Sequence, residues 1–221
     1  MLVEAFIFDL DGVITDTAEY HFKAWKSLAE DINISFDRHF NEQLKGVSRM
    51  ESLELILAKA EQQNDYTENE KEKLVQRKNE HYQQMIATLS PDDILPGISD
   101  LLGDIQEAGY RLGLASASKN APFILRALEL DNLFDTIADV EKIDNGKPAP
   151  DIFLLAAAEL NACPAACIGI EDAASGVTAI RRAGMFSVGV GDKDILQDAD
   201  LIVSSTAELD LNRILSSWER R

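Results

Sequence analysis

Ala5-Phe6-Ile7-Phe8-Asp9-Leu10-Asp11-Gly12 runs an apolar stretch straight into two carboxylates and a glycine. A short, unbroken apolar run of this kind reads as a strand buried on both faces, as in a parallel sheet. Asp9 and Asp11 stand two apart, and residues i and i+2 of an extended chain point the same way. Gly12 leaves the chain free to turn. A solvated turn with capping aspartates is the ordinary alternative. Two carboxylates facing one pocket at the end of a buried strand are nevertheless unfavourable unless a cation joins them.

Outward from this point the pattern repeats. Arg111–Ala115, Ala166–Ile170, Phe186–Val190 and Leu201–Val203 are further apolar runs, with Thr136–Val140 a weaker one. Helical patterns alternate with them, at Ile98–Ala108, Pro122–Leu128, Asp151–Glu159, Ala173–Ala183 and Ala207–Trp218. The alternation predicts an α/β fold, a Rossmann-like parallel sheet with helices on both sides. The segment from Thr17 to Asp92 breaks the rhythm. It carries no convincing strand and reads as helices at Ala18–Asp31, Asp37–Leu44, Arg49–Ala60 and Glu68–Leu89. The expectation is therefore a core domain of residues 1–16 and 93–221, with a small helical cap domain, 17–92, inserted after the first strand.

Ligands of an open parallel sheet bind beyond the carboxyl ends of its strands. Four strand-end loops carry chemistry there: Asp9–Gly12, Ser116–Asn120, Lys147, and Glu171 with Asp172. Glu171 and Asp172 alone would pass as helix caps. Added to Asp9 and Asp11, they make an acidic cluster suited to a hard cation, and Mg²⁺ bridging to a phosphate is the natural case. Ser116-Ala117-Ser118-Lys119-Asn120 offers hydroxyls, an amide, an ammonium and backbone N–H groups at a helix start. That composition suits an anion, though it equally fits a capped strand–helix connection. Lys147 is stiffened by Pro148 and suits a position between a carboxylate and a phosphate. In the inserted segment, Leu44-Lys45-Gly46-Val47-Ser48-Arg49 links two helices. Arg49 there is able to grip a phosphate in two-pronged fashion. His21 and Trp25, at i and i+4, share a helix face and read as packing unless that face meets the sheet edge.

The bulk numbers limit the function. Lys plus Arg total 21 against 39 Asp plus Glu, a formal charge of −18. Nucleic-acid binders are basic, so that class is excluded. The same field opposes a phosphorylated substrate, which makes local positive charge a requirement of any site that takes one. No apolar stretch approaches the roughly 20 residues that span a bilayer, and the first residues do not read as a signal peptide. A cytoplasmic protein without membrane attachment, monomeric, is expected. Cys163 and Cys167 read as reduced thiols.

Together the strand-end loops resemble the haloacid dehalogenase superfamily of phosphotransferases, and the resemblance spans essentially the whole chain. Phe8–Thr17, Leu44–Arg49 and Ser116-Ala117-Ser118-Lys119-Asn120-Ala121-Pro122 resemble, within it, a mutase branch acting on β-D-glucose 1-phosphate and glucose 6-phosphate. The resemblance implies one Mg²⁺ and β-glucose 1,6-bisphosphate as intermediate and activator. It implies Asp9 as the phosphorylated nucleophile and Asp11 as general acid and base. Asp9, Asp172 and the Asp11 carbonyl would hold the metal, with Glu171 beside them. Ser116, Ala117 and Lys147 would hold the transferring phosphoryl group. Arg49, Ser118 and Asn120 would hold the other phosphate, with Lys119 nearby. Thr17, His21 and Lys78 would support cap closure, and Leu44, Gly46, Val47 and Ser52 would shape the sugar site, alongside Trp25, Lys45 and Ser48. Two places depart from the branch: Met50 stands where an acidic residue is expected after the cap arginine, and Asn145-Gly146 precedes Lys147 where a small neutral pair is more usual. The competing readings are a sugar-phosphate phosphatase of the same fold and a binding protein that has lost catalysis.

Overall fold

The computed structural model describes residues 2–44 and 47–221. Its compact units are two, the residues up to Asp16 with Leu89–Arg221, and Thr17–Thr88. The second crossing falls at 88/89, against the 92/93 read from sequence. Ser90–Asp93 belongs with the first unit because its elements bond there. Thr15 Oγ1 donates to the Asp93 carbonyl at 2.7 Å, Leu95 N donates to the Ile14 carbonyl, and Thr15 bridges Ile94.

The first unit is a parallel sheet of β1 (Ala5–Phe8), β2 (Arg111–Leu114), β3 (Thr136–Ile137), β4 (Cys167–Glu171), β5 (Phe186–Val190) and β6 (Leu201–Val203), in the order β3-β2-β1-β4-β5-β6. β1 is central, pairing Ala5 with Arg111 on one side and with Cys167 on the other. Its residues are all fully buried, as an unbroken apolar run requires. Ile7 joins a core cluster with Phe153, Ala156, Ala157, Ala179 and Ile180. Those residues come from α7 (Asp151–Glu159) and α8 (Ala174–Arg182). Phe6 and Phe8 alternate to the opposite face, where their rings meet Tyr110 and Phe134 edge-on. Gly113 and Gly169 lie under side chains of the covering helices: a Cβ on Gly169 would stand 2.6 Å from Ile180.

Most predicted elements appear within a residue or two. Where they differ, the cause is local. The run Thr136–Val140 yields only two strand residues before a 3-10 turn at Val140–Lys142, because the Asp139 side chain accepts from Glu141 N and turns the chain. Ala207–Trp218 divides into a 3-10 turn at Thr206–Glu208 and an α-helix, Leu211–Trp218, which Asp210 caps by accepting from Arg213 N.

The second unit is helical: α1 (Ala18–Asp31), α2 (Arg38–Asn41), α3 (Arg49–Lys59) and α4 (Glu68–Ile86). Phe22, Trp25, Leu28, Ile34, Leu53 and Leu57 are among the residues of its core. α3 and α4 begin with full capping boxes, Ser48 with Glu51 and Thr67 with Glu70. Such reciprocal caps satisfy two otherwise orphaned N–H groups each. They explain why so charged a stretch as α4 starts cleanly at Glu68.

Candidate active site

The central strand delivers Asp9 to the carboxyl edge of the sheet. Asp9 N donates to the Ile170 carbonyl of β4 at 2.9 Å, and Ala115 N donates to the Phe8 carbonyl at 2.8 Å. The first residues beyond β1 and β2 are thus each pinned to the neighbouring strand. Asp9, Glu171 and Asp172 each place a carboxylate oxygen within 4.8 Å of the others. Lys147 reaches between two of them: its Nζ donates to Asp9 Oδ1 at 2.6 Å and to Glu171 Oε2 at 2.7 Å. All three members of that bridge are buried, with Glu171 and Lys147 only 1% and 3% exposed.

Three carboxylates against one ammonium leave the pocket negative when all are ionised. Glu171 registers this. Its carboxyl is pushed up to about 8, first by burial, then by the charge of Asp9, with Asp172 adding to it and Lys147 opposing. Burial alone would lower Lys147, but Asp9 and Glu171 outweigh it and hold the ammonium above its usual range. A buried group of oxygen donors with excess negative charge fits a hard divalent cation. The Asp11 carboxylate is not among these three; the role in metal binding that the resemblance gives Asp11 is through its carbonyl.

The turn after Asp11 is built for close approach. Gly12 has φ +82°, and a Cβ there would stand 2.4 Å from Asp172 Oδ2. Gly12 N donates to the Thr15 carbonyl at 2.9 Å. On the neighbouring strand end, Ser118 N donates to Ser116 Oγ at 3.1 Å and Asn120 N donates to Ser118 Oγ at 3.2 Å. A hydroxyl that accepts from the backbone keeps its own proton to donate. These bonds preset the loop ahead of α6 (Ala121–Ala127), in which Pro122 is second rather than first. Ser116 and Asn120 are buried, and Ala117 and Ser118 half-buried. Lys119 is exposed and pairs with Glu141 at 2.5 Å. Asn145 donates from both its backbone N and its side-chain amide to Asp151 Oδ2, at 3.1 and 3.2 Å, closing the loop that carries Lys147. This departure from the branch pattern thus has a structural part.

The helical unit holds its own polar group. Lys78 Nζ lies 2.8 Å from His21 Nδ1 and 4.8 Å from the ring centroids of both Trp25 and Tyr82. Burial, then the charges of Lys78 and Arg49, hold His21 well below its usual range. A neutral ring lets Nδ1 accept from the ammonium, which puts the imidazole proton on Nε2. Trp25 is core in this unit, as the packing alternative had it, whereas His21 is held by a buried cation. Arg49 is the first residue of α3, and burial holds it somewhat below its usual value. The Ser52 hydroxyl donates to the Ser48 carbonyl at 2.9 Å. Leu44 lies in the unit's core, with Val47 and Met50 packed against it. Thr17 is fully buried and precedes α1, and its carbonyl accepts from His21 N. Lys45 and Gly46 lie outside the described residues. Tyr82, its ring centroid 4.1 Å from that of His21 and tilted 32° to it, was not legible as part of this group, because a tyrosine on a charged helix gives no sign of its partners.

Residues 3–184 match the haloacid dehalogenase-like hydrolases. The chain belongs to that family. It is 52% identical over 218 residues to the β-phosphoglucomutase of Bacillus subtilis, covering 99% of this chain and 96% of that one. It superposes on the crystal structure of β-phosphoglucomutase from Clostridium difficile with a TM-score of 0.98 and 48% identity, over 99% and 98% of the two chains. A phosphorylated-carbohydrates phosphatase of Thermotoga maritima is 31% identical, over 83% of this chain and 82% of that one.

Proposed function

We propose that this chain interconverts β-D-glucose 1-phosphate and glucose 6-phosphate through β-glucose 1,6-bisphosphate, with Asp9 transiently phosphorylated. The observation that carries the phosphoryl-transfer reading is the Lys147 ammonium, fixed against Asp9 and Glu171 within a buried acidic group. The likeness to mutases over nearly the full chain supports the sugar-phosphate assignment.

A carboxylate oxygen of Asp9 attacks phosphorus in line as the bond from phosphorus to the sugar oxygen breaks. Asp11 gives its proton to that leaving oxygen and takes one back from the incoming hydroxyl in the reverse half-reaction. Lys147 and Ser116 hold the transferring group and offset the charge on its equatorial oxygens. Asp9, Asp172 and the Asp11 carbonyl, with Glu171 beside them, would hold Mg²⁺, which would supply further neutralisation of the phosphoryl charge. Arg49, Ser118 and Asn120 hold the phosphate that is not reacting. Two anion grips are what a mutase needs, since the bisphosphate must present each of its phosphates to Asp9 in turn.

The test is a coupled assay of glucose 6-phosphate formation, comparing β- with α-glucose 1-phosphate, with and without the bisphosphate and with Mg²⁺ or EDTA. Bisphosphate-dependent turnover of the β anomer is expected, abolished by EDTA. Net release of inorganic phosphate at a comparable rate would put the phosphatase reading first.

A further inference from the structure

Gly176 is the third residue of α8. Glycine inside a helix is less favourable than alanine, so its presence calls for a packing reason. Its backbone does not need glycine's freedom: it is helical, and it is not among the positive-φ residues. What it needs is space. A Cβ at Gly176 would fall 2.0 Å from Cδ of Glu171, 2.1 Å from Oε2 and 2.3 Å from Cγ. The carboxylate so crowded is held at both oxygens. Oε2 accepts from Lys147 Nζ at 2.7 Å and Oε1 accepts from Ala173 N at 3.1 Å. With Glu171 1% exposed, it can clear a new methyl group only by giving up those bonds.

We propose that Gly176 is a positioning residue: the side chain it lacks is the space the Glu171 carboxylate occupies, and through Glu171 it fixes Lys147 against Asp9. The inference rests on the phosphoryl-transfer reading above, in which Lys147 serves Asp9. Gly12 clears space for Asp172 in a similar way, but it also needs its positive φ. Gly176 is the simpler case, because alanine suits its backbone.

Three variants of the full chain test this: Gly176→Ala, Glu171→Ala and the double variant, each followed by kcat and KM for β-glucose 1-phosphate and by calorimetric melting. A hydrogen bond to a charged group contributes about 1.5–3 kcal/mol, so kcat of Gly176→Ala should fall roughly ten- to hundredfold, with KM changed less than about threefold. Alanine itself favours the helix, so a loss of Tm is expected from the collision with Glu171. The double variant should then match Glu171→Ala in kcat and melt no lower than it. The inference is overturned if Gly176→Ala stays within about twofold of wild type while Glu171→Ala is impaired. It is also overturned if the double variant loses activity as the product of the single losses and melts lower than Glu171→Ala, which is the signature of a helix damaged independently of Glu171. Full activity in Glu171→Ala would instead sink the bridge of Lys147 and Glu171 in the phosphoryl-transfer reading, and this inference with it.

Discussion

At the scale of single residues, the proposed roles separate cleanly by which half-reaction a substitution touches. Asp11→Asn keeps the shape of the turn and removes the transferable proton. It should slow both phosphorylation of Asp9 by the bisphosphate and its dephosphorylation by sugar, by about 10²–10⁴-fold. Rapid-quench single turnovers check this, and unchanged rates in either direction would remove Asp11 from proton transfer. Arg49 separates mutase from phosphatase. Arg49→Ala should lower conversion of β-glucose 1-phosphate at least tenfold, by the roughly 1.5–3 kcal/mol of a charge-assisted contact. Arg49→Lys should fall between, since lysine keeps the charge but not the planar fork. Hydrolysis of a small phosphate without a second anionic group should hardly change. Equal damage to both substrates would make Arg49 a structural residue and favour the phosphatase reading.

At the scale of elements, Arg49 owes its place to the start of its helix. Ser48 accepts from Glu51 N, and Glu51 in turn accepts from Ser48 N at 3.0 Å. Ser48→Ala should therefore lower stability by about 1 kcal/mol, read as a shift in urea midpoint. It should also loosen the first turn on which Arg49 sits, raising KM for the sugar phosphate more than it lowers kcat. An unchanged KM would show that Arg49 is held by other contacts. Elements of this kind were legible in the sequence because their signals are local: apolar runs for strands, helical patterns between them for helices. Asp9, Lys147, Glu171 and Asp172 were legible for the same reason, each standing at a recognisable strand end or proline-marked loop. The pairing of Lys78 with His21 was not, since it joins two helices 57 residues apart and no spacing rule connects them. Nor was the burial of a carboxylate against Gly176, although a glycine within a helical pattern is the kind of signal that asks for a neighbour pressed close. Thr136–Val140 shows the opposite error, an apolar pattern overruled by one aspartate that bonds its own backbone.

At the scale of the whole molecule, the acidic group ties stability to pH and, under the proposed function, to Mg²⁺. Glu171 has a folded value of about 8 against an ordinary 4.5. Between those values the folded chain keeps a proton that the unfolded chain has released, so stability falls as pH rises through that window. The proposed Mg²⁺ would bind the ionised carboxylates, so its stabilising effect should grow in the same direction. Calorimetry with EDTA or excess Mg²⁺ should show a larger rise in Tm at pH 8.5 than at pH 5.5; equal rises would mean that Glu171 does not titrate there. The crossing between the units has a wider consequence. The chain leaves the first unit just after Thr15 and comes back to it shortly before Ile94, and those two residues are bridge partners, with Leu95 N bonded to the Ile14 carbonyl beside them. Departure and return share one doorway. An insertion hung from adjoining anchor points imposes almost no span on its host, whatever its length. The catalytic sheet is therefore indifferent to the size of what hangs there, and the helical unit is a cassette: a different one of any length, entering and leaving at the same pair of residues, would leave Asp9 and its neighbours where they are.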